Sequence, residues 1–143
     1  LPRGEARGVA MHRSFLTYVA AVVRVKVGAD GAIAVPRVDI AMDCGFAAHP
    51  ERVRSQCEGA VIMALSNTLT SELTYARGRA VQANFNDYRV LRMAGAPREI
   101  HVHLVESGGP IGGVGEPGVP PVGPAYANAV ARVVARERST PLR

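Results

Sequence analysis

Alternating apolar and polar residues predict a β-hairpin in the first third of the chain. Ser14 to Val27 is rich in small and β-branched residues, and Ile33 to Asp43 resumes an apolar alternation. Between them, Gly28-Ala29-Asp30-Gly31 has the composition of a tight turn. Two such runs joined by a turn indicate paired antiparallel strands. The preceding segment, Leu1 to Arg13, is rich in Gly and Arg and predicts irregular structure.

The apolar period changes to that of a helix between His49 and about Thr70. Pro50 suits the first helical turn, and Glu51 suits the positive end of the helix dipole. One apolar stripe, with residues four positions apart, would face the core. Its members are Val53, Cys57, Val61 and Leu65.

Two further elements are predicted in the second half of the chain. Glu99 to Glu106 alternates as a strand does, and the Ala- and Val-rich run from Ala125 to about Arg136 indicates a C-terminal helix. Glu72 to Tyr75 predicts a short strand before a turn at Arg77-Gly78, and Asn84 to Arg92 predicts a loop or a short strand.

Length and composition indicate one α+β piece spanning residues 1–143, without internal repeat or domain linker. Apolar residues make up 48% of the 143 residues, which suits a globular core. The longest apolar run, Phe15 to Val23, is far shorter than the roughly 20 residues of a membrane helix. Because the chain starts at Leu1 without Met or a leader pattern, we expect a fragment, a processed chain or a trimmed piece of a longer protein. The compartment stays open between the cytoplasm and the periplasm of a bacterium.

The formal charge of +5 comes almost entirely from arginine, since Lys26 is the only lysine among 17 basic residues. Arginine favours bidentate contacts with carboxylates and phosphates. The few aromatic residues do not alternate with the basic ones as on a single-strand-binding surface, so nucleic-acid binding is weakly supported.

The residues that could bind a metal are too dispersed to predict a site. Cys44 and Cys57 match no zinc or redox spacing, so we expect two separate buried thiols, with a disulfide as the alternative. His101 and His103 share one side of the predicted strand without a local carboxylate or thiolate, which favours a solvated face. No metal ligand is predicted among the side chains.

Two familiar catalytic patterns are excluded. Gly113 to Gly118 matches the spacing G-x-G-x-x-G, but Pro117, Pro120 and Pro121 obstruct the helix start that holds a pyrophosphate in a dinucleotide site. No serine occurs in the G-x-S-x-G context of a hydrolase nucleophile.

One acid, Glu116, stands alone in the loop from Gly112 to Pro121, which is otherwise built of Gly, Pro and Val. If the loop is buried, the pKa of this carboxylate is raised and it can act as a general base. The other interpretation is a surface loop with an incidental acid. Likewise, Gln56 could offer its amide to a heterocyclic ligand beside Gly59, or lie on a solvated helix face.

Three segments taken in order resemble a known family. They are Asp43-Cys44-Gly45, Gln56-x-Glu58-Gly59-Ala60 and the Gly112 to Pro121 loop. The chain is similar to the C-terminal part of the molybdenum-binding large subunit of the xanthine dehydrogenase/aldehyde oxidase family, and closest to its isoquinoline 1-oxidoreductase β-subunit branch. Further matches are Asn84 to Tyr88, Leu91-Arg92-Met93 and the tail Pro141-Leu142.

The resemblance implies a fold that is part of a larger molybdopterin-binding domain, and an activity. Family members hydroxylate aldehydes or N-heterocycles with oxygen from water, and their molybdenum is held by a pterin, here expected as molybdopterin cytosine dinucleotide. The resemblance implies that Glu116 is the general base that deprotonates the oxygen nucleophile. Gln56 would hydrogen-bond the pterin, and Gly113, Val114 and Gly115 would form the wall near the metal.

The family's large subunit is several times longer than this chain, so the resemblance also implies partners. They are the remainder of the molybdenum subunit, which would complete the site, and a [2Fe–2S] subunit that removes electrons. We therefore expect the isolated chain to be inactive. The alternative is a non-catalytic assembly or binding module derived from the same family.

Overall fold

The computed structural model describes residues 1–139, including the side chains of residues 1–135. It has mixed α+β architecture, as predicted. The elements, in chain order, are β1 (Glu5–Ser14), β2 (Thr17–Val27), β3 (Ile33–Asp43), α1 (Pro50–Leu69), β4 (Tyr75–Ala76), β5 (Arg79–Ala80), a short 3₁₀ turn (Met93–Gly95), β6 (Glu99–Leu104) and α2 (Val122–Ser139). The tail residues Pro141 and Leu142 lie outside the described range.

The main sheet has four strands in the order β1-β2-β3-β6. The predicted hairpin is confirmed: β2 pairs antiparallel with β3, and Val22 lies opposite Asp39. The strand predicted from Glu99 to Glu106 is also confirmed as β6, which pairs parallel with β3, where Asp39 lies opposite His101. This parallel pairing makes β6 the edge strand beside β3, directly before the loop that carries Glu116.

The prediction of irregular structure from Leu1 to Arg13 is wrong, because Glu5–Ser14 forms the edge strand β1. Gly8 explains why the composition of this segment led to the wrong prediction. A Cβ on Gly8 would lie 2.0 Å from the carbonyl oxygen of Ala125 and 2.3 Å from the amide nitrogen of Ala129, both in α2. Glycine in this strand therefore reflects close approach of a helix and not an irregular backbone.

Both helices pack on one face of the sheet. The side chain of His49 caps α1 by accepting from the backbone N–H of Arg52, and Pro50 begins the helix as predicted. The predicted stripe is confirmed, since Val53, Cys57, Val61 and Leu65 are buried. The second helix begins at Val122, earlier than predicted, and buries a row of small residues against β1 and β2. Small side chains on both sides let the helices lie close to the sheet.

The segment between α1 and β6 has little regular structure. The predicted turn at Arg77-Gly78 is confirmed, with φ of 52° and 75°, but it joins the two-residue strands β4 and β5. The prediction of a strand from Glu72 to Tyr75 is therefore wrong, except that Tyr75 is the first residue of β4. Asn84 to Arg92 is a loop, which was one of its two predicted forms. The strands β4 and β5, of two residues each, pair only because the turn between them brings them together.

Candidate functional site

The loop between β6 and α2 is fastened to the end of β3 by the first of the three motifs. The carboxylate of Asp43 accepts a hydrogen bond of 2.8 Å from the hydroxyl of Ser107. The carbonyl of Cys44 accepts one of 2.9 Å from the backbone N–H of Gly112. Gly45 has a φ of 73°, and a Cβ there would lie 2.5 Å from a carbonyl oxygen of the loop. The motif therefore positions the start of the loop.

The two-residue turn between β1 and β2 holds the next part of the loop. Phe15 and Leu16 adopt positive φ of 51° and 65°, the conformation of a tight hairpin turn. The carbonyl of Phe15 accepts a 2.8 Å hydrogen bond from the N–H of Gly113. The hydroxyl of Thr17 donates a 2.6 Å hydrogen bond to the carbonyl of Gly113. A Cβ on Gly112 would lie 2.3 Å from Thr17 Oγ1, so this approach requires glycine.

The far end of the loop is anchored on α1. Pro117 and Gly118 are buried. A Cβ on Gly118 would lie 2.9 Å from the Cβ of Ala60, which shows how closely the loop approaches the helix. The carbonyl of Glu116 accepts a 2.9 Å hydrogen bond from the N–H of Val119 and closes a turn. The backbone of Glu116 thus lies between two fixed points.

The structure brings the predicted site residues together around this loop. Gln56 Nε2, on α1, lies 3.9 Å from the position that a Cβ on Gly115 would take. Gly113, Gly115, Gln56 and Glu116 are exposed, and Val114 is half-buried. In residues 1–135, neither the amide of Gln56 nor the carboxylate of Glu116 has a hydrogen-bond partner. Glu116 is therefore exposed within this chain, on a loop whose backbone is held on either side of it.

An apolar cleft of about 260 Å³ opens beside Gln56, between the start of α1 and the loop. Phe46 and Ile111 stand on its rim, 65% and 69% exposed. The polar side chains at its border are those of His49, Arg52 and Gln56. Large apolar side chains exposed beside polar groups are typical of a surface that contacts another molecule or another part of the protein.

The two cysteines are buried free thiols, as predicted. The thiol of Cys57 donates to the sulfur of Met42 at 3.7 Å. Burial, with a smaller contribution from the neighbouring Cys44, raises the pKa of Cys57 to about 11. Cys57 is therefore a core side chain and not a nucleophile at neutral pH.

The two strand histidines lie on the exposed face of the sheet, as predicted, but the expectation that no carboxylate lies beside them is wrong. His101 Nε2 lies 3.2 Å from a carboxylate oxygen of Glu99. His103 Nε2 lies 3.6 Å from a carboxylate oxygen of Asp39. A hydrogen bond from the guanidinium of Arg37 lowers the pKa of Asp39. Among the described side chains of residues 1–135, no cluster of three or more His, Cys, Asp or Glu is arranged to hold a metal ion.

Sequence reasoning missed Phe15 and Thr17, whose contacts join positions almost a hundred residues apart. Nothing in the local sequence signals this pairing. Within the described part of the chain, neither helix has the length and apolar character needed to cross a membrane.

Comparison with known proteins identifies the family. Residues 4–97 match the model of the molybdopterin cofactor-binding domain. This match includes Gln56 and ends before the loop of Glu116.

Two relatives match along almost the whole chain. The isoquinoline 1-oxidoreductase subunit beta of Brevundimonas diminuta is 39% identical over 98% of this chain and 18% of its own length. The membrane-bound aldehyde dehydrogenase [pyrroloquinoline-quinone] of Gluconacetobacter polyoxogenes is 33% identical over 100% of this chain and 19% of its own length. The chain thus spans less than a fifth of the length of these relatives.

Solved structures share the fold. Quinoline 2-oxidoreductase from Pseudomonas putida 86 superimposes with a TM-score of 0.75 at 24% identity, over 85% of this chain and 16% of that one. The Cu,Mo-CO dehydrogenase gives a TM-score of 0.73 at 24% identity, over 84% of this chain and 16% of that one. With the family match and the two relatives, these findings confirm the resemblance carried by the three motifs: the chain belongs to the molybdopterin cofactor-binding domain family.

Proposed function

We propose that this chain is the part of a molybdenum hydroxylase that carries the catalytic base, Glu116. The observation that carries the proposal is the carboxylate itself. It is exposed, has no hydrogen-bond partner among the described side chains, and stands on a backbone held at both ends. A base needs a free acceptor oxygen at a defined position, and this arrangement provides one.

The residues around Glu116 suit a pterin cofactor. The free amide of Gln56 offers both donor and acceptor groups to a heterocycle. Gly113 and Gly115 leave the exposed ridge of the loop almost without side chains, so a flat group can approach the backbone. When bound, the molybdenum cofactor supplies the redox chemistry. Gln56 would orient the pterin, Gly113, Val114 and Gly115 would form a wall beside it, and Glu116 would accept the proton.

The substrate class is proposed from the chemistry of the relatives. Their names include an isoquinoline oxidoreductase and aldehyde oxidases, which suggests an aldehyde or an N-heterocycle hydroxylated with oxygen from water. We propose molybdopterin cytosine dinucleotide as the cofactor form and a [2Fe–2S] partner subunit as the electron acceptor. Because one relative is named for pyrroloquinoline quinone, the purified enzyme should be analysed for molybdenum, cytidine nucleotide and quinone together.

The remainder of the molybdenum subunit is the proposed main partner. Between α1 and β6 the chain exposes a set of large apolar side chains, with Phe85 at 95% and Met93 at 91%. A stable domain rarely leaves such residues in water unless another surface covers them. The relatives are about five times longer than this chain, so a covering region of the same subunit is available.

The decisive test is Glu116→Gln in the complete enzyme, with Glu58→Gln as the matched control. Both acids are exposed, but Glu58 lies on α1 and outside the loop. We expect Glu116→Gln to lower kcat by about 10³-fold or more, since it removes the base without changing its shape. Molybdenum content and the activity of Glu58→Gln should stay near wild type. Full activity of Glu116→Gln would refute the assigned role.

The same preparations test Gln56. Replacing it with Leu removes the amide but keeps the volume, so we expect a lower molybdenum and pterin content per subunit. Unchanged cofactor content would contradict the proposed contact. Absence of molybdenum and pterin from the wild-type complex would instead favour a non-catalytic assembly module.

A further inference from the structure

We propose that Thr17 is a positioning residue, and that its hydroxyl sets the place of the loop that carries Glu116. The hydroxyl donates a 2.6 Å hydrogen bond to the carbonyl of Gly113, 96 positions further along the chain. The side chain of Thr17 is fully buried, so water cannot replace this bond. The catalytic part of the inference rests on the proposed role of Glu116.

Thr17 acts together with the turn that precedes it. The N–H of Gly113 donates to the carbonyl of Phe15, so both backbone groups of this glycine are bound by the β1–β2 hairpin. Phe15 and Leu16 hold positive φ values that non-glycine residues seldom adopt. A turn in this conformation offers few alternative arrangements, and it directs the Phe15 carbonyl at the loop.

The consequence for Glu116 follows from the spacing. Gly113 lies three residues before Glu116, and the buried Gly118 lies two residues after it. Without the Thr17 bond, Gly113 would be held only through its N–H to the Phe15 carbonyl, so this end of the short span would loosen while the other end stays on α1. The proposed pterin contact, Gln56, belongs to α1 and would stay in place. Loss of the Thr17 bond should therefore affect the base more than the cofactor.

The test uses three variants in the complete enzyme. Thr17→Val removes the donor but keeps the shape, Thr17→Ser keeps the donor, and Thr70→Val removes a hydroxyl bond at the end of α1, away from the loop. We expect Thr17→Val to lower kcat about tenfold to a hundredfold, with KM and molybdenum content nearly unchanged. Thr17→Ser and Thr70→Val should retain kcat within about threefold. If Thr17→Val does not fold, Thr17→Cys supplies a weaker donor of similar size and should give an intermediate kcat.

A double-mutant comparison separates positioning from a general structural effect. In the Glu116→Gln background, Thr17→Val should lower the residual kcat by less than about threefold, because the residue it positions is already disabled. An equal loss in both backgrounds would overturn the inference. So would a kcat for Thr17→Val within threefold of wild type.

Hydrogen exchange of the loop peptide covering residues 107–121 gives a readout independent of turnover. Thr17→Val should accelerate exchange there, and Thr17→Ser should not. If Glu116→Gln proved fully active, the proposed base would be wrong, while faster exchange would still support the role of Thr17 in holding the loop. Unchanged exchange in Thr17→Val would overturn that role even if the base were correct.

Discussion

Substitution of Gly112 by Ala should displace the loop that carries Glu116 by a distance that can be calculated from the structure. A Cβ at this position would lie 2.3 Å from Thr17 Oγ1 and 2.8 Å from the carbonyl oxygen of Phe15. Ordinary van der Waals contacts of a Cβ begin at 3.4 Å. The first contact is therefore short by about 1.1 Å and the second by about 0.6 Å. Neither neighbour can simply rotate away, because both are hydrogen-bonded to Gly113.

Two quantities should change in Gly112→Ala. Overpacking of this kind lowers the free energy of unfolding by about 1–3 kcal/mol. A displacement of about 1 Å in a group that must meet a substrate can lower turnover about a hundredfold. Because the bond from Gly112 N–H to the carbonyl of Cys44 would also lengthen, the shift should pass along the loop towards Glu116.

The assay is steady-state turnover of the complete enzyme, with molybdenum content and denaturant unfolding measured on the same samples. Gly109→Ala is the matched control in the same loop, since a Cβ there meets only the hydroxyl of Ser107, at 3.2 Å. We expect Gly109→Ala to stay close to wild type. If Gly112→Ala matched Gly109→Ala in both turnover and stability, the close approach of the β1–β2 turn to the loop would be refuted.

Two further substitutions test other contacts. Gly8→Ala would place a Cβ 2.0 Å from a backbone atom of Ala125 and 2.3 Å from one of Ala129. It should lower the free energy of unfolding, measured by urea titration, by about 3 kcal/mol. A loss below about 0.5 kcal/mol would contradict this packing. Arg37 lowers the pKa of Asp39, so the pair stabilises the fold above the unfolded-state pKa and loses that effect as pH falls through the depressed pKa. Asp39→Asn should therefore lower stability at neutral pH and have no effect in strong acid, and a pH-independent loss would refute the ion pair.

The sequence predicted the elements whose apolar period is regular. Val53, Cys57, Val61 and Leu65 mark one face of α1, and the structure buries them. The edge strand β1 was missed because Gly8, Arg7 and Gly4 give its segment the composition of a loop. Glycine is ambiguous in sequence, since it marks both free turns and close contacts with a distant backbone.

The candidate site was predictable only in part. Glu116 stood out as a lone acid among Gly and Pro, and the order of three motifs related it to Gln56. The sequence did not reveal that the Asp43-Cys44-Gly45 motif fastens the loop through Ser107 and Gly112. That role depends on hydrogen bonds between segments more than sixty positions apart, for which a single sequence carries no signal.

The sequence by itself determined the fold class, the principal helix, the central hairpin and the family, because these follow from periodicity and from ordered local motifs. Tertiary structure alone decided which residues surround Glu116. The parallel pairing of β6 with β3 places the loop beside the β1–β2 turn, and burial of Pro117 and Gly118 fixes its far end on α1. The contacts of Phe15, Thr17 and Ala60 with the loop exist only because these long-range pairings bring their backbones together.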